Sequence, residues 1–349
     1  MEQAVQRDSR DEYPLDRRWV DRNWGRRLVT TPALFGVAAT SLVVWPLLLP
    51  LTLMWDGWSQ NRWSSSRTLL FLTYFVCFEA LGLVVLFLLW LRHLTGLKGE
   101  DFEEANRQMQ RWWVRGFFGA ALRIFSVRLE VHGRAHLDAR RPSVILSRHA
   151  STLDTLLPLG LSQMPTRFRY VMKSELLLDP ALDYCGQRLP NAFVRRGSAD
   201  PQQEIAKVVD LGRALGPDDA VVLYPEGTRF STAKRRRLLD KYQGDQAMHS
   251  IVEVLHHTLP PLREGSVQLV ASTEGADVVF IAHRGLEGAT AMSDLVTGGL
   301  TGAHLEVCIW RVAADDVPRE PAAIKRFLVH HWRRIDAFAA GHRLPPLPS

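Results

Sequence analysis

The chain has 349 residues, 46% of them apolar, with 43 Lys and Arg against 37 Asp and Glu, a formal charge of +6. With such an apolar share disorder is not the default reading, and the length allows one sizeable soluble domain plus a membrane region, or two small domains. The charge points to anionic partners without choosing among nucleic acid, anionic lipid and phosphorylated substrates, while three scattered cysteines (Cys77, Cys185, Cys308) argue against a disulfide framework or structural zinc and for a reducing, cytosolic compartment.

Residues 1–27 form a basic segment that includes Arg17, Arg18, Arg22, Arg26 and Arg27. Leu28 to Trp55 then carries no charge, and Thr68 to Leu91 carries one, Glu79. Roughly 20 apolar residues cross a bilayer core, so residues 28–95 read as a transmembrane hairpin, with two buried core helices as the alternative. The first run is too long for a signal-peptide core, and a second follows it directly. Arginines flank the outer ends, including Arg92, Arg107, Arg111 and Arg115, whereas the linker 56–67 has only Arg62 and Arg67. By the positive-inside rule both termini are expected in the cytoplasm and the linker on the far side. Trp24, Trp55, Trp58, Trp63 and Trp90 fall where an aromatic belt is expected. Glu79, as an intramembrane carboxyl, is a candidate functional group; the plainer reading is a hydrogen bond to Thr40 or Ser41 on the partner helix.

Residues 96–125 read as an amphipathic helix, with Phe102, Met109, Trp112, Trp113 and Phe117 at helical spacing and Arg107, Arg111 and Arg115 on another face. Such a helix suits the lipid interface or the surface of the following domain. From Ser126 short β-rich runs alternate with helical stretches. Strands are expected at 127–131, 143–146, 168–172, 192–194, 220–223, 267–270, 278–282 and 304–309, and helices at 154–161, 201–215 and 321–340. This grammar predicts an α/β fold: a mixed sheet flanked by helices, preceded by the N-terminal two-helix membrane hairpin. The α/β domain is bounded at 126–317, leaving 318–349 as a C-terminal helix and tail.

In such folds chemistry collects where strands give way to helices. Two segments of this kind stand out, Ser147 to Asp154 and Tyr224 to Arg229. A hydroxyl attacking a thioester must lose its proton. A neutral imidazole such as His149 suits that task, and a carboxylate such as Asp154 can orient it. The five-residue spacing alone is weak, because His331 and Asp336 repeat it inside an expected helix, where they read as surface residues on different faces. In the second segment Gly227 permits close backbone approach, Arg229 can grip a phosphate and Glu226 can accept from a substrate hydroxyl. Thr228 and its neighbours sit at an expected helix start, an anion site; a surface turn with an Arg–Glu pair is the alternative. Arg195 and Arg196 end another strand, as a second phosphate contact or a solvated end. Lys234 to Arg237 is either a solvated face or an attractor of anionic lipid and coenzyme A phosphates. No metal-ligand constellation is visible.

These segments together resemble the glycerophospholipid acyltransferases, over about residues 126–285. The H-x-x-x-x-D motif matches His149 and Asp154, and P-E-G-T-R matches Pro225 to Arg229 throughout. An apolar strand ending in arginine matches Phe193 to Gly197, with Arg196 the better aligned. Leu259-Pro260-Pro261 is similar to the family's proline motif, and Lys173-Ser174-Glu175-Leu176 to its K-x-E-L segment. One departure is Leu178 to Asp183, where the family has a more apolar P-x-x-G segment.

The resemblance implies transfer of an acyl chain from acyl-CoA or acyl carrier protein to a lysophospholipid, foremost 1-acylglycerol 3-phosphate. His149 and Asp154 would be catalytic, with Arg196, Glu226, Gly227, Thr228, Arg229, Lys173 and Pro261 binding substrate. No cofactor, metal or nucleic acid is implied. The site would face the cytoplasm at a membrane. Rival expectations are an acyltransferase for another lipid acceptor and a non-catalytic membrane scaffold. A serine hydrolase lacks its G-x-S-x-G elbow here.

Overall fold

The computed structural model describes residues 23–290 and 292–344. Arg17, Arg18 and Arg22 lie outside the described residues. Seven strands, β1 (Arg128–His132), β2 (Ser143–Ser147), β3 (Arg167–Lys173), β4 (Ala192–Val194), β5 (Asp219–Leu223), β6 (Asp277–Arg284) and β7 (His304–Val312), form one sheet in the order β1-β7-β6-β2-β5-β3-β4. Neighbours pair in parallel except β6 and β7. The central strands β2, β5 and β6 are buried almost throughout and carry apolar residues on both faces, because helices cover both sides of the sheet.

The helices are α1 (Trp24–Ser59), α2 (Ser64–Leu94), α3 (Gly99–Ile124), α4 (Leu157–Leu161), α5 (Pro180–Gly186), α6 (Pro201–Leu211), α7 (Thr232–Lys241), α8 (Gln246–Val254), α9 (Glu264–Ser272), α10 (Met292–Val296) and α11 (Pro321–Ala339). Alternation along the strands divides the core in two. Ile145, Val222, Val279 and Ile281 face Phe117, Phe118, Phe125 and Leu157. Val144, Val221, Val278 and Phe280 face Leu211, Leu269, Ile324, Leu328 and Trp332.

The structure corrects several expectations. Val267 to Val270, expected as a strand, lies in α9, because a run this short fits either period and Ser266, Val267, Leu269 and Val270 all bury on the sheet side. Helix α11 belongs to the α/β core rather than to a separate tail. His331 and Asp336 are buried, not superficial: the His331 ring stacks on Phe280 at 4.3 Å and its Nδ1 accepts from Trp310 Nε1 at 3.2 Å. Asp336 accepts from the amides of His256 and His257 and from the Thr258 hydroxyl. As expected, the two do not meet. Of the two placements expected for the 96–125 helix, packing on the domain holds: Met109, Trp113, Phe117 and Phe118 of α3 are buried.

Helices α1 and α2 are long and apolar enough to cross a membrane. Asp56 closes their hairpin by accepting from the amides of Ser65 and Ser66 at 3.1 and 2.8 Å, capping α2. The linker was expected on the opposite side of a bilayer from the domain. Instead it rests on the domain: Ser64 bonds Thr301 at 3.0 Å, and Arg67 donates to Ser126 at 2.8 Å and to the Ile124 carbonyl. At the other end Arg26 and Arg27 both clasp the buried Asp183 of α5, and Arg188 donates to the Leu86 carbonyl. The domain therefore touches both ends of the hairpin. This also accounts for the polar departure at 178–183. Asp179 caps α5 through the amides of Ala181 and Leu182, and Asp183 holds the hairpin arginines. Glu79 does not bond Thr40 or Ser41; Ser41 donates to the Ala38 carbonyl, and Glu79 is buried facing Asp179 and the Trp113 indole.

Candidate active site

Strands β2 and β5 are parallel neighbours with Leu146 opposite Leu223, so the segments that follow them leave the same sheet edge side by side. The Phe230 amide donates to the His149 carbonyl at 2.8 Å and ties the two together. The His149 ring is 16% exposed, and its Nδ1 lies 2.9 Å from Asp154 Oδ1. The turn between them makes this possible, because Asp154 Oδ2 accepts from the amides of Ala150 and Ser151 at 2.6 and 2.7 Å. Burial alone would raise the pKa of Asp154. Hydrogen bonds from the His149 and His283 rings outweigh it and hold the carboxyl below its ordinary range. A carboxylate only accepts, so it selects the tautomer with the proton on Nδ1 and leaves a lone pair on Nε2.

Sequence reasoning missed four supports of this pair. His283, at the end of β6, sits 3.5 Å from Asp154 Oδ2 and 3.1 Å from the Arg148 carbonyl. Tyr224 packs its ring 4.8 Å from that of His149 and donates to the Asp154 carbonyl. Arg148, fully buried, donates to the carbonyls of His257 and His283 and to Glu287. Ser151 donates to the Ala289 carbonyl. The one available signal was Arg148, a charged residue between a strand and His149.

Glu226 does not face substrate. It is buried, and its two oxygens accept from the amides of His149 (3.0 Å) and Leu259 (2.9 Å). Burial, offset in part by those amides, pushes its pKa up to about 8. Arg229 Nη1 is likewise engaged, on Thr152 Oγ1 (2.9 Å) and the Thr290 carbonyl (2.5 Å). Lys234 Nζ bonds Thr228 Oγ1 and the Arg229 carbonyl, both at 2.8 Å. The basic run thus belongs partly to the site, and the helix expected to open at Thr228 opens at Thr232. Gly227 has φ +67°, a conformation that favours glycine. Pro261 is buried behind the loop, Lys173 pairs with Glu175 at 2.7 Å on the surface, and Arg196 is exposed beyond β4.

The two hydroxyls nearest the histidine in sequence, Ser147 and Ser151, are both buried and bonded to carbonyls. An oriented imidazole beside a cationic loop, with Ser147 and Ser151 both bonded to carbonyls, is an arrangement that would suit transfer to a nucleophile carried by the substrate.

The comparisons agree with that class. Residues 128–283 match the acyltransferase family model. The chain is 31% identical over 131 residues to the lyso-ornithine lipid O-acyltransferase of Rhizobium meliloti (strain 1021), covering 38% of this chain and 41% of that protein. It is 33% identical over 129 residues to 1-acyl-sn-glycerol-3-phosphate acyltransferase beta of Homo sapiens, covering 36% of this chain and 42% of that one. The chain thus spans about two fifths of the length of the curated relatives it matches. In fold it is similar to the 1-acyl-sn-glycerophosphate acyltransferase PlsC of Thermotoga maritima, with a TM-score of 0.53, 15% identity, and coverage of 80% of this chain and 99% of that one.

Proposed function

We propose that the protein moves an acyl chain from a thioester, acyl-CoA or acyl carrier protein, to the free hydroxyl of a lysophospholipid, foremost 1-acylglycerol 3-phosphate. The observation that carries this reading is the 2.9 Å contact between His149 Nδ1 and Asp154, with the ring beside a cationic loop. His149 Nε2 takes the acceptor's hydroxyl proton as its oxygen attacks the thioester carbonyl. A C–O bond forms, the C–S bond breaks, and the leaving thiolate receives the proton from His149. Asp154 stays ionised and stabilises the imidazolium. Glu226 acts from behind, fixing the backbone of His149.

The relatives' names include a glycerol-phosphate acceptor and an ornithine-lipid acceptor. The basic loop favours the phosphate. The outward side of α1 exposes Leu28, Val29, Leu42, Val43, Leu47 and Met54, a surface that lipid would cover. Because the domain touches both ends of the hairpin, we read the hairpin as lying in one leaflet, with the site at that face. Assay of the purified protein with labelled acyl-CoA and a panel of lysolipids tests the reading. Transfer to 1-acylglycerol 3-phosphate is expected, and hydrolysis without transfer would overturn it.

A further inference from the structure

A groove of about 610 Å³ runs between α2 and α3, with Tyr74 and Phe78 on one side and Arg111, Trp112, Arg115 and Gly116 on the other. Glycine at 116 leaves it open: a Cβ there would collide with the Phe78 ring and stand 3.3 Å from Tyr74 Oη. The two α2 rings stack at 5.1 Å, and Phe78 meets the Trp112 ring at 4.4 Å. Trp112 nonetheless stays 41% exposed, so this aromatic wall is only partly covered by protein. Leu70 and Leu81 continue the α2 stripe at helical spacing beyond the two rings, and both are exposed.

Arg111 and Arg115 lie one turn apart on α3 and share a face. Arg111 Nη2 donates to the Pro165 carbonyl at 3.0 Å and the Thr166 carbonyl at 3.4 Å, and Arg115 Nη2 to the Ser162 carbonyl at 2.7 Å. These bonds orient both forks, while Arg115 Nε and Nη1 keep no partner among the described residues. Glu104 is already bonded to Arg107 at 2.9 Å and reaches Arg111 only at 3.9 Å. Burial lowers the basicity of Arg111; Glu104 opposes this, and the charges of Arg115 and Arg107 add to it. The pair also stands beside the middle of α2, where Tyr74 and Phe78 fall, not beside its ends. At hydrocarbon depth two guanidiniums would be costly, whereas at headgroup depth they meet lipid phosphate. Ser162, Pro165 and Thr166 precede β3, and His149 follows β2. Both strands run parallel to β5, so the arginines reach the end of the sheet opposite the histidine.

We propose that this groove seats an anionic membrane phospholipid that is not a substrate, with Arg111 and Arg115 on its phosphodiester and the rings of Tyr74, Phe78 and Trp112 against its glycerol and acyl chains. The guanidiniums supply the charge complementarity. The rings, continuous with the exposed leucines of α2, favour a lipid over a free phosphate. Such a lipid would fill the seam between the hairpin and α3 and fix the depth at which the domain rides. The inference stands apart from the acyl-transfer reading, because the groove and the catalytic histidine lie at different ends of the sheet.

Binding rather than turnover tests this, so a failure of the acyl-transfer reading leaves the result interpretable. Full-length protein in nonionic detergent is titrated with fluorescent phosphatidylglycerol and, separately, fluorescent phosphatidylcholine, and anisotropy is read. Wild type should bind phosphatidylglycerol about 10-fold more tightly, because the choline cation of the other lipid offsets its phosphate. Replacing both arginines, Arg111→Gln with Arg115→Gln, should raise the Kd for phosphatidylglycerol about 10- to 100-fold and abolish the preference. Trp112→Ala keeps both arginine–carbonyl bonds and should weaken both lipids by a few-fold, roughly the loss of one partly covered ring. Equal affinity of wild type for the two lipids, or an unchanged Kd in the double variant, overturns the proposal. Displacement of the labelled lipid by 1-acylglycerol 3-phosphate overturns it by placing the lipid in the catalytic site. Displacement by inorganic phosphate at constant ionic strength overturns it in favour of a small-anion site. If the double variant does not fold, Trp112→Ala decides: weaker binding supports the groove and unchanged binding overturns it.

Discussion

The Glu226 carboxyl group accepts from the backbone amide of His149 at 3.0 Å with one oxygen and from that of Leu259 at 2.9 Å with the other. It couples the strand-end segment bearing the histidine to the proline segment behind it. This makes Glu226 a positioning residue rather than a substrate contact. In Glu226→Gln only one oxygen remains, so one buried amide loses its acceptor, at a cost of about 1–3 kcal/mol. We expect kcat to fall by roughly the corresponding 5- to 150-fold while the acceptor KM changes little. A large rise in acceptor KM at constant kcat would instead show direct substrate binding.

His149→Ala should lower transfer by about 10²- to 10⁴-fold without disturbing the fold. Asp154→Asn should be nearly as damaging, since an amide can favour the wrong imidazole tautomer. As both serve one proton transfer, the double variant should be little worse than His149→Ala. Multiplicative losses, measured under saturating substrate, would separate the two residues.

Asp336 supports the site from behind. It binds the amides of His256 and His257, and the His257 carbonyl in turn receives Arg148, the residue before His149. Asp336→Ala should lower both Tm and kcat, the stability loss being about 3–5 kcal/mol if Arg148 shifts with the loop. Full activity with unchanged Tm would remove Asp336 from this role.

His331 makes the core sensitive to acid. Burial, with the charges of His330 and Arg334 adding to it, pushes its pKa down to about 3 from an ordinary value of 6.5. The folded state therefore keeps it neutral while the unfolded chain takes up a proton below pH 6.5. Its contribution is complete above pH 6.5 and is lost as pH falls toward 3, reaching about 2 kcal/mol at pH 5. Thermal melts from pH 7 to 5 should fall more steeply for wild type than for His331→Phe. Parallel curves would contradict this.

If the hairpin lies in one leaflet, its linker and the domain share a side. With Cys77, Cys185 and Cys308 replaced by Ala, Ser59→Cys in the hairpin and Ser250→Cys in the domain should both react with a membrane-impermeant maleimide added to that side of sealed vesicles. Labelling of Ser59→Cys from the opposite side alone would restore a bilayer-spanning hairpin.

The positions of the seven strands, the two apolar runs and the pairing of His149 with Asp154 could be read from sequence, because each depends on local periodicity or on residues a few positions apart; the 267–270 run could not, since a short apolar stretch fits either period. So could the two loops that flank the site, which follow adjacent apolar strands. What lay beyond sequence was where each polar group would point. Glu226 and Arg229 read as substrate ligands, yet the fold turns the first inward to two amides and straps the second to Thr152 and Thr290. Asp336 read as surface, yet it anchors the loop behind Arg148. The arginines before the first apolar run read as membrane flanks, but Arg26 and Arg27 close on Asp183, more than 150 positions away. Whether a polar atom is free for a ligand depends on which donors and acceptors its neighbours leave unsatisfied. Only the packing of remote segments decides that.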